Sequence, residues 1–370
     1  IRYLKSKYVS PEGLNKEWRT DFNDFESITY PLNELMKSGL PEKLSLFNKV
    51  KNAVINRLLR ISGYECKYIF NKQYFKQFNS HNIIKVPDFI SWYIDSMTSY
   101  LDKWLSITRK YFPDNEILVV TGGDGNALMG ADFTSQAKVA KKYNAGIRIT
   151  NQDNLYSNSF VLTRWVASTV KAYGINFITE EAYYNNLQGE IMRLYDAVTS
   201  GASGVYYKSV ITNELIDNCE LKPKSLNKCN IFKDSQSIIK NDKPVVDCAV
   251  MLSNTSVKLK ANHMLLTYNE GKKLRNYVDF DFLCEIMIAD NNLEKYKYLL
   301  LLTSVILPNE CYLKIRDWQN KGGKVIILNG ANIFDIRGNR LKLDADLKFS
   351  KLNQSNGKIL TDIIYSGKIK

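Results

Sequence analysis

The sequence has very little histidine and no closely paired cysteines. Its 370 residues include two histidines, His81 and His263, and six cysteines, none of them in a CxxC pair. Because a structural zinc site usually draws four ligands from such pairs, we expect no bound metal, and we predict no other cofactor. Unpaired cysteines are typical of small core residues in a reducing compartment, which favours the cytoplasm. The six are Cys66, Cys219, Cys229, Cys248, Cys284 and Cys311.

Long apolar runs are also missing. No stretch approaches the roughly 18 residues that a membrane-spanning helix needs, and no signal peptide is visible, so we expect no membrane partner. The first residue is Ile1, and the chain opens in what reads as the middle of a helix. We therefore expect the sequence to be part of a longer protein.

The charge is strongly positive but not clustered. The chain has 51 basic and 38 acidic residues, a formal net charge of +13, and no run of five like charges. A nucleic-acid partner would favour a basic block, whereas scattered lysines are typical of a Lys- and Asn-rich background. We expect no nucleic-acid partner. With 45% hydrophobic residues the chain has ample material for a packed core.

Short apolar segments alternate with helical ones through the middle of the chain. This alternation predicts an α/β fold with parallel strands and crossover helices, as half of a (β/α)₈ barrel or as a doubly wound sheet. A helix start at Ser10-Pro11 and a helix over 41–72 precede it, with little signal over 73–87. The strands are predicted over 116–121, 146–150, 175–179 and 204–210, and the helices over 92–111, 133–143, 160–173 and 190–200.

Three further segments follow the predicted barrel portion, which covers 1–222. Residues 223–244 are rich in Lys, Asn and Ser and predict a linker. Residues 245–335 return to alternating strands and helices, which predicts a small flavodoxin-like domain. Residues 336–370 predict a small C-terminal segment of short β-strands.

The stretch from Tyr173 to Tyr184, YGINFITEEAYY, ends an apolar strand on two adjacent carboxylates, Glu180 and Glu181. Active sites of parallel α/β folds lie at the carboxyl ends of the strands, so these acids are candidates for chemistry. The alternative is a strand that simply ends in solvent.

Several segments resemble glycoside hydrolase family 42, the β-galactosidases and their relatives. They are IRYLKSKYVSPEGLNKEWRT, TGGDGN, GADFTSQAKVAKKYNAGIRITN, ITEEAYYNNLQGEIMRLYDAVTSGASGVYY and WQNKGGKVIILNG, in the family's order. The resemblance implies the C-terminal half of a (β/α)₈ TIM barrel, then a class I glutamine-amidotransferase-like trimerisation domain, then a short β tail. It also implies a carbohydrate substrate and a homotrimer.

The resemblance implies a retaining glycosidase, in which one carboxylate attacks the anomeric carbon and a second acts as acid and then base. Matching YGINFITE places the nucleophile at Glu180. Glu181 is the alternative, because a slip of one residue changes the face on which a strand's side chain lies.

The family's acid/base is the Glu of an Asn-Glu pair at the end of the fourth barrel strand. The pairs Asn33-Glu34, Asn115-Glu116 and Asn213-Glu214 do not fit that position. Either the first half of the barrel lies in a preceding segment or another chain, or hydrolysis has been lost. The alternative function is therefore a non-catalytic carbohydrate-binding or assembly protein with the same fold.

Polar residues near the other predicted strand ends are candidates for binding sugar hydroxyls. Each could equally serve a turn, because Asn, Asp and Gly are favoured there for backbone reasons. The predicted substrate-binding residues are Glu181, Asp124, Asn126, Asn151, Asp153 and Lys208. In the second domain no cysteine follows the strand YLLLLTSV at the position of an amidotransferase nucleophile, so we expect that domain to serve assembly.

Overall fold

The chain divides into two compact units, residues 1–92 and 93–370, which are described separately. The structure is a computed structural model. It describes residues 1–28, 85–121, 125, 127, 130–150, 156–180, 187–206, 216–217, 220–221, 246–259 and 263–366. The helix expected over 41–72 lies outside these residues, and the predicted domain limits remain predictions.

The first unit opens with two short helices, α1 (Arg2–Tyr8) and α2 (Pro11–Trp18). Ser10 is the N-cap of α2, and its hydroxyl accepts a hydrogen bond from the backbone N–H of Gly13. Proline at the first helical position has no N–H to leave unsatisfied and a backbone angle that suits a helix. The helix start predicted at Ser10-Pro11 is confirmed.

The buried carboxylate of Asp88 binds side chains of both short helices. It lies in the first turn of a long helix, α3 (Lys85–Tyr111), and the indole Nε1 of Trp18 donates a hydrogen bond to it at 2.8 Å. Lys7 and the hydroxyl of Tyr8 also donate to this carboxylate. Burial and the hydrogen bond to Asp88 raise the pKa of Tyr8. Three donors compensate the cost of burying one charge.

The second unit contains a four-stranded sheet in which all neighbouring strands are parallel. The strands pair in chain order, as in a segment of a (β/α)₈ barrel. In a doubly wound sheet, by contrast, the order of the strands reverses at a switch point. The half-barrel prediction is confirmed. The elements are β1 (Leu118–Thr121), α4 (Phe133–Lys142), β2 (Gly146–Thr150), α5 (Tyr156–Tyr173), β3 (Phe177–Glu180), α6 (Leu187–Thr199) and β4 (Gly204–Tyr206).

The two faces of this sheet differ. Alternate residues such as Val119, Ile147 and Phe177 are buried in the main apolar core. The residues between them lie on the opposite face, which we call the inner face because it would line a closed barrel. Val120 on the inner face is 60% exposed and Tyr206 is 49% exposed. Among the described residues, nothing covers this face at those two positions.

A short hairpin of two strands precedes the second sheet, which is five-stranded and parallel and has the order β8-β7-β9-β11-β14. Renumbered in chain order, this is the 2-1-3-4-5 order of flavodoxin-like folds, as the sequence predicts. The elements are β5 (Ile216–Asp217), β6 (Glu220–Leu221), β7 (Cys248–Met251), α7 (Asn254–Leu259), α8 (His263–Leu274), β8 (Asp281–Leu283), α9 (Glu285–Ala289), β9 (Tyr298–Leu301), β10 (Val305–Ile306), α10 (Asn309–Asn320), β11 (Lys324–Ile327), β12 (Ile333–Phe334), β13 (Arg340–Leu341), β14 (Leu347–Lys348) and α11 (Gln354–Ser366).

The C-terminal region is only partly as predicted. β13 pairs with β12 and β14 pairs with β11, so short strands are present. However, the expectation of strands alone is wrong for residues 354–366, which form α11. Leu360, Ile363 and Ile364 are buried at helical spacing, and Asn353 accepts a hydrogen bond from the N–H of Asn356 at the helix start.

Helix α5 lies between the two sheets. Its Phe160 ring makes an edge contact with Phe280, with centroids 5.7 Å apart, and Trp165 contacts Tyr268 at 6.1 Å. Ser168 accepts a hydrogen bond from the N–H of Phe282 on β8. Side chains of both sheets therefore belong to one apolar core.

Ion pairs also link α5 to residues on and next to β8 of the second sheet. The guanidinium of Arg164 on α5 is fully buried and lies 3.2 Å from the carboxylate of Asp279 and 3.6 Å from that of Asp281. Asp281 is also bound by Lys171 at 2.6 Å and by the hydroxyl of Tyr296 at 3.0 Å. Arg275 shares Asp279 at 3.0 Å. Breaking one partner of such a buried pair typically costs about 3–5 kcal/mol.

The three cysteines that the structure describes are buried free thiols: Cys248, Cys284 and Cys311. Burial raises the pKa of each, and that of Cys284 rises to about 12. They are inert core residues, as expected. None of the described helices combines the length and the apolar character that crossing a bilayer requires.

Asp196 on α6 is fully buried beside this charged region. Burial raises the pKa of its carboxyl to about 7, against an ordinary value of 3.8. The nearby Ser159 hydroxyl and the positive charges of Arg164 and Arg275 offset only part of the burial. The native protein therefore holds this proton more tightly than the unfolded chain does.

We predict that Asp196 lowers stability as the pH rises. Its contribution is fully present below about pH 4 and is lost as the pH rises through about 7, a change on the order of 4 kcal/mol in the free energy of unfolding. Asp196→Asn, which stays neutral, should raise the melting temperature at pH 8 by several degrees and leave it nearly unchanged at pH 4. Thermal unfolding followed by circular dichroism at both pH values measures this.

Asp290→Asn is the control with the opposite sign. Burial opposes the charge of Asp290, but hydrogen bonds from Lys138 and Tyr173 lower its pKa overall. This substitution should lower the melting temperature at pH 8. Equal behaviour of the two variants at pH 8 would contradict the account of Asp196.

Candidate functional site

Glu180 is the last residue of β3, at the carboxyl end of the four-stranded sheet. In a parallel sheet, residues in register point to the same face, so the side chains of the inner face form rows across the strands. The upper row is Thr150, Glu180 and Tyr206, and the row beneath it includes Val120, Arg148 and Ile178. Glu180 is thus at the centre of the row nearest the strand ends.

Arg148 holds the carboxylate of Glu180 from below. Its Nη1 lies 3.1 Å from Oε2 of Glu180, and the two side chains are 29% and 16% exposed. The two groups form an ion pair, in which the guanidinium compensates the carboxylate's charge and keeps it close to Arg148. Glu180 is therefore oriented toward the inner face and is not a solvated strand end.

Thr150 and Tyr206 flank Glu180 along the row. Thr150 pairs in register with Glu180 from β2, and Tyr206 pairs with it from β4. Both side chains carry hydroxyl groups that can donate and accept hydrogen bonds. The phenol ring of Tyr206 also offers an apolar surface of the kind that packs on a sugar ring. The row can bind a polyhydroxyl ligand beside a carboxylate.

Of the predicted site residues, Glu180 is the one that the structure describes. Its position on the inner face is compatible with the predicted role but does not test it. The remaining candidates lie outside the described residues and stay predictions: Glu181, Asp124, Asn126, Asn151, Asp153 and Lys208. The Asn-Glu pairs Asn33-Glu34 and Asn213-Glu214 lie outside them too.

Asn115-Glu116 lies at the amino end of the sheet, as expected from its place before β1. It borders a depression of about 490 Å³ that also involves Arg109 and Asn144. The Arg109 guanidinium donates hydrogen bonds to the carbonyl oxygens of five residues, which ties the loops of this end together. Residues at this end of a barrel contribute to stability and not to catalysis.

Trp18 and Trp165 are both buried and cannot serve as platforms on which a sugar ring stacks.

Sequence reasoning missed Arg148, Thr150 and Tyr206. The available signal was the alternation of GIRIT, in which Arg148 and Thr150 must share a face opposite to Ile147 and Ile149. Tyr206 lies within the predicted strand 204–210, but the site residue predicted on that strand was Lys208, nearer its end. All three residues lie on the same face of the sheet as Glu180, which follows from the alternation of side chains along each strand.

The carboxyl edge of the second sheet carries a different arrangement. The carboxylate of Glu285 accepts hydrogen bonds from the hydroxyl of Ser253 at 2.6 Å and from the backbone N–H groups of Asn254 and Thr255. The Glu285 carboxylate therefore caps the amino end of α7 by accepting hydrogen bonds from its first backbone N–H groups. Beyond β9, the hydroxyl of Thr303 contacts that of Thr267 at 3.0 Å.

Most of the chain is similar in fold to solved glycoside hydrolase family 42 structures. An exo-carrageenase of Bacteroides ovatus matches with a TM-score of 0.65 and 13% identity over 99% of this chain and 50% of that one. A β-galactosidase of Halorubrum lacusprofundi matches with a TM-score of 0.59 and 11% identity over 88% and 48%. One of Bacillus circulans sp. alkalophilus matches with 0.54 and 14% over 90% and 49%.

No family model and no curated protein sequence matches the chain. At 11–14% identity the structural similarity shows the fold. The family resemblance expected from the sequence is confirmed at that level. The chain spans about half the length of the structures that it matches.

The ion pair predicts measurable coupling between Arg148 and Glu180. A double-mutant cycle with Arg148→Gln, Glu180→Gln and the double variant should give a coupling energy of about 1 kcal/mol, because the pair is partly buried. Urea unfolding at pH 7 measures it, and high salt should weaken it. Strictly additive effects of the two substitutions would contradict the pair.

Proposed function

We propose that this chain carries the nucleophile side of a retaining glycoside hydrolase that acts on β-galactoside-type or related glycans, with Glu180 as the nucleophile. One observation carries the proposal. Glu180 stands on the inner face at the carboxyl end of a sequentially ordered parallel sheet, held by Arg148. That is the end of a (β/α)₈ barrel at which active sites lie.

The surroundings of Glu180 suit attack on an anomeric carbon. A nucleophilic carboxylate must be aimed at the anomeric carbon, and the ion pair with Arg148 at 3.1 Å restrains its position. The hydroxyls of Thr150 and Tyr206 stand on either side in register and would bind the sugar hydroxyls nearest the reacting carbon. In the reaction, Glu180 forms a glycosyl ester as the leaving oxygen departs, and water then cleaves that ester.

The second carboxylate has to come from elsewhere. In a retaining enzyme the two carboxyl groups are about 5–5.5 Å apart, and the second one protonates the leaving group and later deprotonates water. Among the described inner-face residues Glu180 is the only carboxylate. We infer that the acid/base lies in the other half of the barrel, outside the residues described.

The second sheet supports assembly in this proposal. The described thiols are buried and protonated, and Glu285 fills the amino end of α7 with its own carboxylate. Neither feature suits the nucleophilic cysteine of an amidotransferase. A glutamine-amidotransferase-like trimerisation domain, as the sequence resemblance implies, accounts for the fold without chemistry of its own.

Among the described residues of the inner face Glu180 is the only carboxylate, which also fits a second candidate. A carbohydrate-binding or assembly protein with the same fold would keep Arg148, Thr150 and Tyr206 as ligands of a sugar and would need no acid/base. This candidate predicts saturable binding of galactosides without any hydrolysis.

Nucleophile replacement tests the proposal. Glu180→Ala in the full natural polypeptide should reduce hydrolysis of an aryl β-galactoside by about a thousandfold or more. Added azide should restore turnover, because it fits the space that the side chain leaves. Azide attacks the anomeric carbon once, so the glycosyl azide should have the configuration opposite to that of the substrate. Proton NMR of the product reads it directly.

The matched control is Glu116→Ala, at the amino end of the same sheet, which should leave hydrolysis unchanged. An azide product that retains the substrate's configuration would make Glu180 the acid/base. Undiminished activity of Glu180→Ala would remove it from catalysis. Galactoside binding by a natural polypeptide with no hydrolysis would select the second candidate.

A further inference from the structure

A pocket of about 740 Å³ lies at the carboxyl edge of the five-stranded sheet, and we call it the β11–β14 pocket. One wall includes Ile327 and Lys348, the last residues of β11 and β14, and the other is the β12–β13 hairpin. Ligands of parallel α/β sheets bind outside the carboxyl ends of the strands, usually at the switch point. The switch point of this sheet is between β7 and β9, whereas here the hairpin supplies the second wall of the crevice. The volume is that of a small-molecule site.

The rim of this pocket is positively charged. Three exposed cations line it, Arg340, Lys342 and Lys348, against a single carboxylate, that of Asp344. None of the ion pairs that the structure describes involves these three cations. Unpaired cations around a concave surface attract anions and raise their local concentration. The planar guanidinium of Arg340 can also bind a carboxylate, sulfate or phosphate through two parallel hydrogen bonds.

The lining between the cations is apolar. Leu341 and Phe349 are half-buried, and the buried residues Ile327, Ile333 and Leu343 complete this part of the lining. Removing apolar surface from water is favourable, and an aromatic ring such as that of Phe349 can pack against another ring. A ligand could therefore place an apolar body on this surface and keep an anionic group at the charged rim.

Hydrogen bonds hold both walls of the pocket. The hydroxyl of Tyr312 on α10 donates to the backbone carbonyl oxygen of Lys342, in the segment that follows β13. In the turn of the β12–β13 hairpin, the carboxylate of Asp335 accepts hydrogen bonds from the backbone N–H groups of Arg337 at 2.9 Å and Asn339 at 2.7 Å. The pocket is therefore preformed, and a ligand would have to order little of the chain on binding.

We propose that the β11–β14 pocket binds a small organic anion, a molecule with an apolar body and a carboxylate, sulfate or phosphate group. The three rim cations would bind the anionic group, and the apolar body would lie on Leu341 and Phe349. A neutral sugar would leave the three cations unpaired and gain little from the aliphatic part of the lining. The inference concerns the second sheet and does not depend on Glu180 or on hydrolysis.

Two fluorescent probes that differ in one charged group test the proposal. Anilinonaphthalene sulfonate has an aromatic body and a sulfonate, and phenylnaphthylamine has the same body without the charge. Each is titrated into the full natural polypeptide, and the increase in its fluorescence gives the affinity. Arg340→Gln with Lys348→Gln should weaken binding of the sulfonate by about tenfold and change that of the neutral probe by less than about twofold. Lys103→Gln with Lys358→Gln, which removes two exposed cations outside the pocket, is the matched control and should change neither affinity.

An added carboxylate gives a second measurement that removes no side chain from the core. Ser350 is exposed and lines the pocket, so Ser350→Glu should also weaken sulfonate binding, and Ser355→Glu, at an exposed position outside the pocket, should not. Equal loss of both probes in the Gln variant would overturn the anion as the ligand. A sulfonate affinity that the pocket variants and the control variants change equally would overturn the site itself.

The reaction is tested separately, because Glu180→Ala should leave the affinity for the sulfonate unchanged. Failure of hydrolysis with normal probe binding would count against the proposed function alone. Loss of specific probe binding with normal hydrolysis would count against this inference alone.

Discussion

The buried ion pairs of Arg164 are the constraint on which the second unit depends. A fully buried guanidinium requires carboxylates at fixed positions, and Asp279 and Asp281 supply them from the edge of the second sheet. Arg164 lies on α5, the helix between β2 and β3. Because those two strands carry Arg148 and Glu180, the second sheet fixes the helix against which the candidate site is built.

The same arrangement explains why α5 tolerates so many polar side chains. It has a sheet on each side, so it is buried nearly all round and has little solvent-facing surface for them. Ser168 and Lys171 instead bind partners on or near β8, while Trp165 and Phe160 fill the apolar space. The polar groups give the contact between the sheets a specific register that apolar packing alone would not impose.

Much of this fold could be predicted from the sequence. The GIRIT strand, the start of α2 and the flavodoxin-like pattern follow from local signals, namely alternation, capping and the spacing of apolar segments. The sheet order needed the structure, because chain order and doubly wound order use the same strands and helices. Helix α11 departs from the predicted strands, although Leu360 and Ile363 lie at helical spacing and are buried in the main core.

The candidate site was predictable only in part, since its members come from different strands. Glu180 could be found because a carboxylate at a strand end is conspicuous, whereas Arg148 sits one row lower in a short apolar strand. A charge at that depth needs a partner, and the carboxylate above it is within reach at 3.1 Å. Covering the inner face would remove water from both groups and strengthen the attraction between them. Closure of the barrel and orientation of the carboxylate are therefore linked physically.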